Sequence, residues 1–510
     1  MKTVNMFVIL ICVLLLGLFV HCGEKADKTS SDKVLYEPTW ESLSQWKVPK
    51  WFDDAVLGIY CHWGVYSVPG YRFNSGSEQV DSGLWYGHFM YVPNDAEEDN
   101  YGVYDFHRKT YGDPMEFGYH DLVPLFKAEK WDPDRWAALY KEAGADFAGI
   151  AAEHGDGFAL WDTEFDAYNA MDMGPRRDIL GEMFEAARKV GLKTIATFHE
   201  PPGEMFDAAR SFYPEGVGAN DPKYADLYAV SDFSVLNKKL LEVVDKYRPD
   251  QIWFEDPYCG EENWKEFIAY YYNKGQEWGN EVLISQKHDF APLSCSVFDV
   301  EGGIFPDGVW QWAGMTEPQK QRWQKDVPIG NFWAYAEGVG CRPVNMLVDG
   351  IVDRASKNGV TLLDVAPKAD GTLPEAQIKG LKELGKWMAI NKEALYAAKP
   401  AHFMEGGIDE WKVDSYRFLE KEGCLYAIEL GNEWPPTVGF AEYKDSEVPS
   451  VPVTIPGVKP VKGSEIKMLG SDKILSWHQK GESLVIEEIP DSLPCEHAWS
   501  FKIQVLHENR

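Results

Sequence analysis

Cations, closely spaced cysteines, glycine-rich phosphate loops and long apolar runs are what this 510-residue sequence has little or none of. Its 50 lysines and arginines face 81 aspartates and glutamates, for a formal net charge of −31. Sustained binding to nucleic acid or to an anionic lipid surface is thereby excluded, because phosphates need Lys and Arg to replace released counterions. The charge is otherwise that of a soluble surface. Eight cysteines include no C-x-x-C pair, and the six beyond residue 22 (Cys61, Cys259, Cys295, Cys341, Cys424 and Cys495) are scattered. Neither a disulfide framework nor a zinc site is implied; an incidental bridge and buried free thiols both stay open. Without a phosphate loop or a run of metal ligands, no cofactor and no metal are expected.

The apolar run Met6 to Val20 falls short of the ~20 residues that a spanning helix needs. With Lys2 before it and Cys22 after it, the run reads as an export signal over residues 1–22, followed by a polar tether over 23–34. The cysteine at its end resembles a bacterial lipoprotein signal, although Phe19-Val20-His21 departs from the usual small residues. A lipid on Cys22 would be the chain's membrane attachment; periplasmic or cell-surface display and plain secretion both remain open.

What is present is a large core and a repeating pattern. The chain is 45% hydrophobic and 14% aromatic, enough to fold most of its length. From about Trp51 to Tyr396, short apolar runs alternate with amphipathic stretches, the signature of βα units. The clearest strands are Val56–Cys61, Phe147–Ala152, Thr194–Phe198, Gln251–Phe254, Val282–Ser285 and Val360–Val365, with helices over Ile179–Val190 and Asp232–Lys246. A capped helix runs from Trp131 to Gly144. A (β/α) TIM-like barrel over residues 35–396 fits this better than two smaller doubly wound domains. Beyond Tyr396, short alternating runs separated by Gly, Pro, Asn and Asp predict an antiparallel β-sandwich over 397–510.

In such folds the chemistry sits where strands end. The segment Glu153-His154-Gly155-Asp156-Gly157-Phe158-Ala159-Leu160-Trp161-Asp162 places an imidazole and three carboxylates at the end of one apolar strand, and His199-Glu200 follow another. The acidic stretch Asn94 to Asn100 reads as a solvated insertion, with cation binding as the alternative.

Several stretches taken together resemble family 29 glycoside hydrolases, the α-L-fucosidases. Trp51 to Gly64 is similar to the family's opening strand, and Leu84-Trp85-Tyr86 to its Glu-Trp-Tyr. Glu153 to Trp161 resembles its Lys-His-His-Asp-Gly-Phe segment, Gly174 to Asp178 the sequence after it, and Ser356 to Thr372 its closing strand and turn. The resemblance implies retaining hydrolysis of a terminal fucose on a glycan by an exo-acting enzyme, with one carboxylate as nucleophile and a second carboxyl as acid and base.

Glu255, in Ile252-Trp253-Phe254-Glu255-Asp256-Pro257, occupies the slot of the family's nucleophilic aspartate, with Asp256 as its rival. The acid/base slot falls on Gln324, which cannot trade protons. The resemblance therefore leaves Glu200, Glu301 and, more remotely, Glu317 as replacements. His62, His154 and Trp253 match sugar-binding positions, and Trp63, Trp85, His199 and Trp333 join them as substrate-binding candidates. Departures at Glu153, Gly155 and Leu84 imply a rebuilt pocket. Two further readings stay open: a catalytically impaired glycan-binding protein, and a glycosidase of shifted sugar specificity. Linkage, substrate sulfation and oligomeric state are not encoded legibly.

Overall fold

The computed structural model describes residues 35–72, 83–201, 203–213, 233–256, 259–288, 290–301, 315–401, 412–413, 415–432, 434 and 443–505. The proposed signal, the tether and Cys22 lie outside them. Tyr36–Arg510 form one compact unit.

Eight parallel strands close into a barrel: β1 (Leu57–Cys61), β2 (Phe147–Glu153), β3 (Lys193–Phe198), β4 (Gln251–Phe254), β5 (Leu283–Gln286), β6 (Val297–Asp299), β7 (Trp323–Pro328) and β8 (Gly359–Val365), with β8 pairing back onto β1. Six of these coincide with the expected strands to within a residue at either end. The other two carry little apolar signal: β6 has three residues, and β7 reads Trp-Gln-Lys-Asp-Val-Pro. Buried on both faces, the barrel strands tolerate polar residues only where partners exist.

Among the described residues, six helices of ten residues or more follow the chain: α1 (Pro133–Glu142), α2 (Ile179–Lys189), α3 (Phe233–Tyr247), α4 (Glu261–Trp278), α5 (Val344–Ser356) and α6 (Glu375–Asn391). The start of α1 follows from its sequence: Asp132 caps it by accepting from the Arg135 N–H at 3.0 Å, and Pro133 supplies the first helical φ. It stops at Glu142, two residues earlier than expected, and Gly144 then takes φ +96° for the turn into β2.

The C-terminal region consists of antiparallel sheets. Strands β9 (Lys399–Pro400), β10 (Lys412–Val413), β11 (Tyr416–Lys421), β12 (Cys424–Glu429), β14 (Ile466–Met468) and β17 (Trp499–Gln504) form one sheet; β13 (Val453–Pro456), β15 (Trp477–Lys480) and β16 (Ser483–Ile486) form another. The period of two in β12 divides its side chains between two cores. Tyr426 and Ile428 join the core of the barrel and its helices, whereas Leu425 and Ala427 join the core between the sheets with Phe418, Phe501 and Ile503. The six cysteines of the described residues are all free thiols.

Candidate active site

The carboxyl ends of β1 to β5 bring His62, His154, His199, Glu200, Glu255 and Lys287 together. The His62 and His199 rings are 4.4 Å apart, and those of His154 and His199 are 5.0 Å apart. All three histidines are buried. Asp364, at the end of β8, accepts from the His62 backbone N–H at 2.8 Å and lies 3.1 Å from its Nδ1, so Nδ1 carries the proton. The Gly155 N–H donates to His154 Nδ1 at 2.8 Å, so the proton of His154 sits on Nε2, which lies 3.2 Å from Glu200 Oε2. His199 spans Thr197 Oγ1 at 2.8 Å and Glu255 Oε2 at 3.2 Å.

Burial holds His154 and His199 neutral. It pushes His154 well below its ordinary value, with His199 and His62 acting the same way, and takes His199 down to about 3. The nitrogens of His62, His154 and His199 lie within 4.8 Å of one another, as do ligand atoms of His154, Glu200 and Glu255. Either trio has the spacing for a cation. The bonding already in place suits sugar hydroxyls better: His154 offers an N–H, not a lone pair, into the pocket, and both His199 nitrogens are engaged.

Among the described residues, Glu200, Glu255 and Glu301 face this cluster with Lys287 among them. Lys287 donates to Glu255 Oε1 and lies 2.6 Å from Glu301 Oε2. Burial alone would raise Glu255, but the His199 hydrogen bond and the Lys287 ammonium outweigh it and hold the group below the carboxylate range. Burial, and then the Glu255 charge, lift Glu200 well above that range and Glu301 to about 7. One carboxylate is thus kept ionised beside one held as an acid and one poised near neutrality, the division of labour that paired-carboxyl hydrolysis needs.

The aromatic wall holds most of the expected side chains. Trp253 lies 4.6 Å from His199, Trp333 5.6 Å from His62 and Trp85 6.5 Å from His154. Trp63 is not among them. It points away from the barrel, packed 5.2 to 5.4 Å from Phe126, Trp131 and Trp136, and donates from Nε1 to the Lys368 carbonyl at 2.8 Å. His62 and Trp63 are chain neighbours, and alternation puts only the first on the pocket side. Asp256 diverges from Glu255 likewise: its Oδ1 lies 3.4 Å from the half-exposed His288. Glu317 is exposed. The acidic stretch turns its groups onto neighbours, with Glu98 on His88 at 2.6 Å and Asn94 on Asp105 at 2.9 Å.

Gln324 and Glu153 both take places that the resemblance did not imply. Gln324 lies inside β7, fully buried, donating to Asp299 Oδ2 at 2.6 Å and accepting from Gln251 at 2.9 Å. Asp299 also accepts from Trp253 Nε1 at 2.8 Å, so Gln324 belongs to the network beneath the indole and not to the strand end. Glu153 turns outward to Lys239 of α3, which also lies 3.3 Å from Asp166. A register shift between Ala151 and Glu153 in the β2–β3 pairing accompanies this turn.

Sequence reasoning missed Lys287, Tyr66 and Tyr60. The Tyr66 ring is 5.6 Å from His154, and Tyr60 donates to Asp326 at 2.5 Å. The signal for Lys287 was available, since it immediately follows β5.

A parallel barrel whose strand ends gather neutral imidazoles, an aromatic wall and carboxyls in opposite protonation states defines a glycoside hydrolase. Residues 23–393 match the family profile described as Alpha-L-fucosidase, and the chain belongs to that family. Tissue alpha-L-fucosidase from Rattus norvegicus is 27% identical over 493 residues, covering 92% of each chain. Plasma alpha-L-fucosidase from Homo sapiens is 27% identical over 485 residues, again covering 92% of each. The crystal structure of Thermotoga maritima alpha-fucosidase superposes with a TM-score of 0.70 at 28% identity, over 91% of this chain and 100% of that one; its complex with fucose gives 0.69 at the same identity, over 91% and 99%.

Proposed function

We propose that this protein is an exported α-L-fucosidase that removes terminal fucose from glycans or polysaccharide fragments by a double displacement, with Glu255 as the nucleophile. The observation that carries this reading is the double hold on Glu255. His199 takes one oxygen and Lys287 the other, so a glutamate, longer than aspartate by one methylene, is fixed at the strand end and kept ionised. The histidines and Trp253 then orient the sugar, and the second carboxyl comes from Glu200 or Glu301. Glu255 forms a bond to the anomeric carbon as the glycosidic oxygen leaves with its electron pair, and water reverses that bond in a second step.

Export rests on the N-terminal segment, with a lipid on Cys22 or release as its two outcomes. Labelling by a radioactive fatty acid, lost in Cys22→Ala, would establish the lipid. The glycan-binding reading, which rests on Gln324 and on the histidine missing at Gly155, is separated from hydrolysis by whether the protein turns over any aryl glycoside. Hydrolysis of aryl α-L-fucosides, followed by NMR of the first-formed anomer, tests the proposed reaction: the α-anomer is expected. Turnover of other aryl glycosides but not fucosides would reject the substrate, and the β-anomer would reject the double displacement.

A further inference from the structure

The ends of β2 and β3 carry two departures that fit each other. The family resemblance places a second histidine at position 155, where this chain has Gly155. A Cβ built there would lie 3.5 Å from both Cβ and Oε2 of Glu200. That is ordinary contact for one methyl group, and a longer side chain would need space that the Glu200 carboxyl already holds. We infer that Glu200, seated in the volume left by Gly155, is the general acid and base of this enzyme. The inference rests on the retaining reading above.

Three further observations support it. Oxygens of Glu200 and Glu255 lie within 4.8 Å of each other, close to the ~5 Å carboxyl separation of retaining hydrolysis. Among the described residues, the one basic side chain paired with Glu200 is His154, whose imidazole burial keeps neutral; the Lys287 ammonium pulls the other way only at a distance, and burial with the Glu255 charge outweighs it. Glu200 Oε2 is buried without a hydrogen bond of good geometry, and burial beside the Glu255 charge keeps the carboxyl protonated. Glu301 differs on the second point, because the Lys287 ammonium occupies its Oε2 at 2.6 Å.

In the first step the Glu200 O–H proton passes to the glycosidic oxygen as the C1–O bond breaks and Glu255 bonds to C1. In the second, the Glu200 carboxylate takes a proton from water while the water oxygen bonds to C1 and Glu255 departs with its electron pair. Water is the one co-reactant. Both carboxyls return to their starting protonation.

The test compares leaving groups in Glu200→Gln and Glu301→Gln. For Glu200→Gln, kcat/KM on an alkyl or glycan fucoside falls roughly 10² to 10⁴-fold, whereas fucosyl fluoride, which needs no protonation, still fucosylates the enzyme. Azide then restores turnover and yields α-fucosyl azide, and the alkaline limb of the pH profile disappears. Gly155→His, which crowds Glu200, loses rate in the same leaving-group-dependent way. The fluoride reaction reports folding, so a misfolded variant is not mistaken for support. An equal loss on all leaving groups, or azide rescue of Glu301→Gln in place of Glu200→Gln, overturns the assignment. A β-configured product from the unaltered enzyme instead overturns the retaining reading on which it rests.

Discussion

Buried charge is handled in opposite ways at the barrel mouth and at the seam between barrel and C-terminal sheet. At the mouth, Glu255 and Glu301 share Lys287 with Glu200 beside them, and two of the three carboxyls are lifted above their ordinary range. At the seam, Asp353 of α5 sits between Arg417 of β11 at 2.7 Å and Lys357 at 2.5 Å. Burial would raise Asp353, but the two cations hold it below the usual carboxylate value. An excess of cations makes a lock, because breaking it strands a buried charge. An excess of carboxyls leaves protons to be moved. The same element of chemistry, a buried acid, is structural or reactive according to how many cations it shares.

Three changes would break or sharpen this contrast. Glu255→Gln should cost on the order of 10⁴-fold or more in kcat while leaving thermal unfolding near that of the parent. A loss below tenfold would remove Glu255 from the reaction. Arg417→Met should do the reverse: it should destabilise by about 3 to 5 kcal/mol, as loss of one partner of a buried pair does, with KM for an aryl fucoside unchanged. Because Asp353 has a lowered folded pKa, its contribution is complete above the unfolded value of about 3.9 and is lost as pH falls through the folded one. Acid unfolding of the Arg417→Met enzyme should therefore begin at higher pH than that of the parent, and coincident acid transitions would contradict the lock. Lys287→Met should raise the Glu255 pKa by about one to two units, seen as an upward shift of the acid limb of kcat/KM, with Lys287→Arg restoring the original limb. An unmoved acid limb would mean that His199 alone keeps Glu255 ionised.

The fold was legible where apolar runs were long. Six barrel strands announced themselves, but β6 is three residues and half of β7 is polar; the two are linked by side-chain pairs such as Asp299 with Gln324, which no periodicity encodes. At the site, strand ends pointed to His62, His154, His199, Glu200 and Glu255. Facing direction was harder to read. Trp63 and Asp256 each follow a residue of the cluster and turn away from it, and Glu153 turns outward beside a register shift. Only the fold pairs Gly155 with Glu200, because 45 residues of chain separate two positions that touch.

Strand β12 gives half of its side chains to the core of the barrel and half to the core between the sheets. Unzipping it would injure both at once, so the two cores are expected to melt together. Heat, denaturant or a protease that opens the C-terminal sheet should be felt by the catalytic barrel in the same transition, and the sheet behaves as a keel that is shed only when the hull comes apart.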